Sequence, residues 1–311
     1  MKYLVQRLVA MVAVLLVVSF IAFSAMNLLG DPLTTILGPF ATDRTTPEAL
    51  EAIEQFHLDD PLPVRYGKWL GDVLQGDFGV SASNSEPVAD VLKRKFPISL
   101  KMMLLAQVMA IGISIPWALF TASRANSRLD RFSTVVSFGI VAIPNFALGL
   151  LLYFVFALRL NWFPTRYNNE SLLKELHSLF LPALALAAGL ASIYQRLLRT
   201  DLITTLQEDF VLMAKSKGVS KTKVLLKHAL RPSLFSFITV FGINTGALIG
   251  GSLVIEQIYS IPGAGLQIVE AILRDDFPLV LAIVLLIASG FVVVNFVINI
   301  LYSLLDPRVK Q

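Results

Sequence analysis

Cysteine is absent from the 311 residues, so disulfides, thiolate-held iron-sulfur clusters and thiol nucleophiles are excluded. Histidine is scarce: His57, His177 and His228 stand far apart with no neighbouring ligand set, which leaves metal catalysis little support. A phosphate-binding Gly-x-x-x-x-Gly-Lys-[Ser/Thr] loop is also missing. The stretch "GDVLQGDF" from Gly71 has the glycine spacing but aspartate where the phosphate-binding lysine must stand, so the chain cannot hold ATP in that way. Gly-x-Ser-x-Gly and His-Glu-x-x-His do not occur either. Charged residues make up only 15% of the chain, against about 25% in a soluble domain.

Apolar residues fill the space left by these absences: 55% of the chain is hydrophobic and the mean hydropathy is +0.70. They fall in six blocks, Leu8 to Leu29, Ile98 to Thr121, Phe132 to Leu158, Leu179 to Leu197, Leu234 to Ile255 and Leu279 to Leu304. A helix of about 20 apolar residues crosses the hydrocarbon core of a bilayer. Continuous apolar runs rule against a β-barrel, whose strands are short and alternating. The expected fold is therefore an all-α integral membrane protein with six transmembrane helices. The first block follows Lys2 and Arg7 and precedes "AFSA", as in a signal peptide, but it is too long for a signal core of about 7 to 15 residues and is expected to be an uncleaved span.

No ionisable residue stands in the middle of a block, where an ion-coupled carrier or proton relay needs one. The polar residues inside the blocks are neutral: Asn27, Gln107, Asn145, Gln195, Asn244, Asn295 and Asn299. Bonding between helices and lining a path both remain open for them. Asn145 beside the helix-breaking Pro144, and Asn244 among glycines, are the candidates for the translocation path. Pro116 and Pro144 should kink their spans or open local backbone groups. Gly242, Gly246 and Gly250 recur every four residues and give one helix face room for close approach, within the subunit or on a partner.

Charge sets the orientation. With the amino terminus inside, the internal segments hold 15 Lys and Arg against 5 Asp and Glu, and the external ones hold 11 against 17. That bias predicts both termini in the cytoplasm. Residues 1–29 then form the first span and 30–95 an external segment. Residues 96–305 form a five-helix core with a cytoplasmic loop at 199–233, and 306–311 a cytoplasmic tail. The external segment carries turn signals at Asp31-Pro32, Gly38-Pro39, Asp60-Pro61 and Gly76-Asp77. Thr45 or Thr46 can cap a helix in "TPEALEAIEQF", with Pro47 and Glu48 in its first turn. Phe56, Leu58, Tyr66, Trp69, Leu70 and Phe78 can bury surface, which favours a small subdomain over a disordered linker.

The most telling stretch is "AKSKGVSKTKVLLKHALRP", residues 214 to 232, with six lysines and arginines and no acid. Before it, helical spacing puts Phe210, Met213, Ala214 and Lys217 on one face, with Glu208 and Asp209 at the positive end. Gly218 supplies a left-handed stop, Ser220 can cap a second helix and Pro232 should end it. A solvated basic loop that merely enforces topology would need no apolar face. An apolar patch rimmed by charge points to docking.

Here the sequence resembles the permease subunits of ABC importers. Of the strict signature, Glu-Ala-Ala, three residues, Gly, nine residues, Ile-x-Leu-Pro, only Ala214, Gly218 and Leu230 match. The peptide and nickel branch has its own version, Asp-[Phe/Tyr]-Val-x-x-Ala-x-x-Lys-Gly-[Leu/Val]-Ser and then His-Ala-Leu-Arg, which Asp209 to Ser220 and His228 to Arg231 follow. Similar agreement runs through "LDDPLPVRYGKWLGDVLQGDFG" from Leu58, "EPVADVLKRKFPISL" from Glu86, "VAIPNFALGLLL" from Val141, "EQIYSIPGAGLQIVEAILRDDFP" from Glu256 and "LYSLLDPRVK" from Leu301.

The resemblance implies a type I importer permease of the B-type, with a long first external loop, in a bacterial cell membrane. It implies a coupling helix around Gly218: Asp209 opens it, Phe210, Met213 and Ala214 insert into an ATPase groove, Lys215 and Lys217 pair with acidic groups at the rim, and Gly218 sets the bend. The implied partners are a homologous second permease, two cytoplasmic ATPases that hold ATP and magnesium, an external binding protein and a transported peptide. This chain would bind no cofactor, metal or nucleic acid. Reception of the binding protein or gating would fall to the external segment and the "SIPGAG" turn. Cargo in this branch includes dipeptides, longer peptides, glutathione, nickel chelates and haem. The rival classes are a self-contained channel or secondary transporter, which would need its own pore or coupling site, and a membrane-anchored scaffold.

Overall fold

A chain this apolar satisfies its backbone in lipid by coiling, and the computed structural model does so nearly throughout. It describes residues 2–29, 33, 43, 45–55 and 58–305, and among them no strand occurs, only an isolated bridge between Val80 and Pro87. In chain order the helices are α1 (Lys2–Leu29), α2 (Pro47–Gln55), α3 (Leu62–Leu74), α4 (Val88–Ala122), α5 (Arg128–Ala142) and α6 (Asn145–Leu152). A π-helical stretch, Tyr153–Arg159, extends α6. Then come α7 (Leu172–Thr205), α8 (Asp209–Ser216), α9 (Lys221–Lys223) with its π-helical extension Val224–Ala229, α10 (Leu230–Ile258), α11 (Ala264–Leu273) and α12 (Phe277–Leu305).

Among the described residues, five stretches are long and apolar enough to cross a membrane as single helices: Gln6–Leu28, Val88–Ala122, Leu172–Thr205, Lys221–Gly246 and Phe277–Ile298. The sixth expected block is a bent pair, apolar enough to cross when taken together, with α5 and the α6 unit meeting at 95°. The break lies where proline rules put it. Ile143 is forced to extended geometry by the ring that follows it, and Pro144 itself sits at ψ 139°, so two successive residues leave the helix. Pro116 behaves otherwise: α4 runs through it unbroken, as α7 does through Pro182.

The chain divides into two compact units. One comprises residues 1–98 and 262–296. In it α3 lies on α1: Tyr66 packs edge-on to Phe20 and Phe23 at centroid distances of 5.2 and 5.7 Å, and Trp69 packs on Phe23 at 5.4 Å. Polar ties reinforce the contact, Arg65 Nη2 donating to Asn27 Oδ1 at 2.6 Å and the Tyr66 and Ser19 hydroxyls meeting at 2.8 Å. Thr46 caps α2 by accepting from Ala49 N at 3.2 Å, with Glu48 in the first turn. Ala49 is fully buried among Leu33, Ile53 and Leu58. The buried carboxylate of Asp276 accepts from Ser81 Oγ and from the amides of Ala82 and Ser83, pinning that turn. Gly263 precedes α11 and so places the "SIPGAG" turn at a helix start. Asp31-Pro32, Gly38-Pro39, Phe56, His57 and the tail 306–311 lie outside the described residues.

The second unit, residues 99–261 and 297–311, is organised on α7, whose Leu179, Leu186, Tyr194, Leu198 and Leu202 are fully buried. Two of the neutral polar residues join helices here. Gln107 of α4 donates to Thr245 Oγ1 of α10 at 2.6 Å and accepts from Tyr194 OH of α7, and Gln195 of α7 donates to Thr121 Oγ1 of α4 at 3.1 Å. A Cβ on Gly242 would lie 2.1 Å from Ile298 Cδ1, so this glycine gives α12 room for close approach to α10. Between α6 and α7, burial pushes the Tyr167 phenol well above its usual pKa, and its hydrogen bond to Glu175 acts in the same direction.

Candidate functional site

The site is built on α8, the turn at Gly218 and the helix that leaves it. Glu208 precedes α8 in extended geometry and Asp209 lies in its first turn, where the amide dipoles favour a carboxylate. At the other end Gly218 has φ +76°. Gly218 N donates to Lys215 O at 3.0 Å and Val219 N to Ala214 O at 3.2 Å, the paired bonds of a Schellman stop. No other heavy atom would come within 4 Å of a Cβ on Gly218, so the residue is required by backbone geometry and not by space.

The outgoing helix differs from the expectation. Ser220 occupies the cap position without a side-chain cap bond. Pro232 does not end the helix, which passes through it into α10. The π-helical residues Val224–Ala229 shift the hydrogen-bond register just upstream, and Pro232 then falls in the first turn of α10, where a missing N–H is tolerated.

Two apolar clusters hold the loop. Its inner core is Val211, Ala214 and Val224, with Leu206 and Val219 packed on it. Its mount joins Ala118 and Ala122 of α4 and Leu198 and Leu202 of α7 to Ala229, with Leu206, Leu225 and Leu230 alongside. Thr205 and Ser233 add a hydroxyl contact at 3.2 Å across the base. Ala214 is thus placed differently from the expectation. It is 8% exposed and faces into the loop, because Val224 of the returning helix covers it. Phe210 and Met213 face outward, 48% and 58% exposed, with Leu212 beside them. Asp209, Lys217 and Lys215 are exposed, and Lys215 Nζ donates to Leu206 O at 3.2 Å.

Of the path candidates, Pro144 and Asn145 are neighbours at the start of α6 and Asn244 lies on α10. Asn145 opens α6 with its Oδ1 3.0 Å from where a Cβ of Gly189 would stand, a seat that only glycine leaves open. Asn244 donates to Val240 O of its own helix at 2.9 Å. Pro144 marks the 95° break.

One feature of this region escaped the sequence reading. Arg199 of α7 grips Asp130 of α5 in a fork, Nε to Oδ1 at 2.5 Å and Nη2 to Oδ2 at 2.6 Å. The Asp130 side chain is 3% exposed and also accepts from Asn126 N. The available signal was Ser127-x-x-Asp130, a capping-box pattern: Ser127 Oγ accepts from Asp130 N at 3.2 Å and starts α5.

Comparison with known proteins matches residues 114–311 to the inner membrane component of binding-protein-dependent transport systems, and residues 1–103 to the N-terminal part of such membrane components. The chain is 36% identical over 315 residues to the oligopeptide transport system permease protein AppB of Bacillus subtilis, covering 99% of both. It is 32% identical over 312 residues to the glutathione transport system permease protein GsiC of Escherichia coli, covering 100% of this chain and 99% of that one. A polytopic helical body, a compact loop with an apolar outer edge and matches of this extent lead to one assignment: the chain belongs to the family of inner membrane components of binding-protein-dependent transport systems, the ABC importer permeases.

Proposed function

We propose that this chain is one of two permease subunits of an ATP-driven importer of short peptides, and that the loop around Gly218 receives the work of ATP hydrolysis from partner ATPases. The observation that carries the reading is the two-sided build of α8. Val211 and Ala214 fix its inner face, leaving Phe210 and Met213 as an apolar edge that no described residue covers, beside Lys215 and Lys217. Such an edge fits a groove with an acidic rim. Asp209 starts the docking helix, Gly218 sets its bend, and Ala214 supports it from inside.

ATP and magnesium belong to the two ATPases, and this chain holds neither. A homologous second permease completes the path, and a binding protein delivers cargo on the face opposite the loop. The basic bias of the loop and of the short "ASRANSRLDR" link puts the loop and both termini in the cytoplasm. Peptide cargo draws support from relatives named for oligopeptides and for glutathione, itself a small peptide. Nickel chelates and haem are the alternatives. The test is Phe210→Asp with Met213→Asp in the assembled complex. The expected result is loss of the ATPases on purification and loss of labelled-peptide uptake. ATPases retained with uptake unchanged would end the docking reading.

A further inference from the structure

The fork between Asp130 and Arg199 lies where the loop's mount meets the broken span. Arg199 follows Leu198 and precedes Leu202 by one turn, and both leucines pack in the mount with Ala229, Leu206 and Leu225. Asp130 lies in the first turn of α5. Above it α5 is tied to its neighbours at successive turns: Trp117 Nε1 donates to Ser133 Oγ at 2.6 Å, Ser137 Oγ to Ser192 O at 3.1 Å, and the Arg196 guanidinium lies 4.3 Å from the Phe138 ring centroid. Beyond that ladder comes the 95° turn at Pro144 into α6, whose Gly149 carbonyl accepts from the OH of Tyr259, the residue that caps the end of α10, at 2.9 Å.

A buried ion pair is a costly way to glue two helices, since well-packed apolar residues do as well or better. What the fork adds is direction. Two parallel N–H···O bonds fix rotation and register as well as distance, which a greasy contact or a lysine does not. A displacement of the loop that moves the Leu198 to Leu202 turn must therefore carry Arg199, and Arg199 must carry the start of α5.

We infer that Asp130 and Arg199 are positioning residues for transport, the joint that passes movement of the loop to α5 and, through the break at Pro144, to α6. The inference rests on the reading that the loop receives the work.

The experiment uses the complete complex in proteoliposomes, with both permeases, the ATPases and the binding protein, and measures peptide moved per ATP hydrolysed. The paired variant Asp130→Asn with Arg199→Gln removes both charges together and so leaves no buried charge unpaired. Expected are full ATPase retention, continued ATP hydrolysis and a roughly two- to thirtyfold fall in peptide moved per ATP. Arg199→Lys keeps the charge but loses the fork, and the same ratio should fall by a smaller factor. Wild-type ratios in both variants would overturn the proposal. So would a fall of hydrolysis and transport in step with the yield of complex, the mark of a simple structural staple. Failure of the docking reading is seen separately, in ATPases that stay bound to the Phe210 and Met213 variant.

Discussion

Gly218 offers a substitution series governed chiefly by backbone conformation. With φ at +76° and, beyond its chain neighbours, no heavy atom within 4 Å of a Cβ built there, an added Cβ meets no obstacle. Asparagine tolerates the left-handed region best of the non-glycine residues, alanine should cost about 1–2 kcal/mol, and valine more because its branch crowds the backbone. Proline cannot reach the angle, since its ring holds φ near about −65°, and it also deletes the N–H that donates to Lys215 O. Its cost is roughly 3 kcal/mol or more.

These penalties compete with the inner core of the loop, where full burial of each of Val211 and Val224 contributes about 1.5–3 kcal/mol. Alanine therefore leaves the loop folded in most copies, whereas proline consumes most of what the core supplies. The expected order of uptake in proteoliposomes is Gly, Asn, Ala, Val, Pro, with ATPase retention on the purified permease following the same order. Equal uptake for Gly218→Asn, Gly218→Val and Gly218→Pro would refute the reasoning, because it would mean that the left-handed stop is not what shapes the docking surface.

Two further outcomes test the packing of the units. Gly242→Ala should lower the melting temperature of the detergent-purified permease, at a cost of about 1–3 kcal/mol, because its methyl meets Ile298; made in an Ile298→Ala background, the same substitution should cost much less. Asp276→Ala removes the acceptor shared by Ser81 Oγ and the amides of Ala82 and Ser83, costing about 1.5–3 kcal/mol, and limited proteolysis should then cut within residues 81–86. Asp276→Asn, which keeps one oxygen acceptor, should be cut more slowly.

What sequence patterns convey here follows the range of the interaction involved. The apolar blocks were readable because the length of a crossing is a local property, and Gly218 and Thr46 because a left-handed angle and a cap are requirements of one or two residues. The helix through Pro232 was not, since the local rule for proline is overridden by a register shift six residues long just before it. The orientation of α8 was not either. Phe210 with Met213 and Val211 with Ala214 are both spaced for one helical face, and the choice between them is made by Val224, which arrives from the next helix. Ala214 consequently supports the docking edge from behind.

The same logic explains why the pair farthest from notice is the one proposed to transmit movement. Asp130 and Arg199 are 69 residues apart, and each counts in the sequence only as one more charge at the end of an apolar block. Apolar clusters such as the mount specify where the loop sits but tolerate sliding, because dispersion contacts have little directional preference. A forked ion pair removes that freedom at one point. A machine that must turn a push on a loop into a rotation of a span needs both kinds of contact, and in this chain they occur within one helical turn of each other on α7.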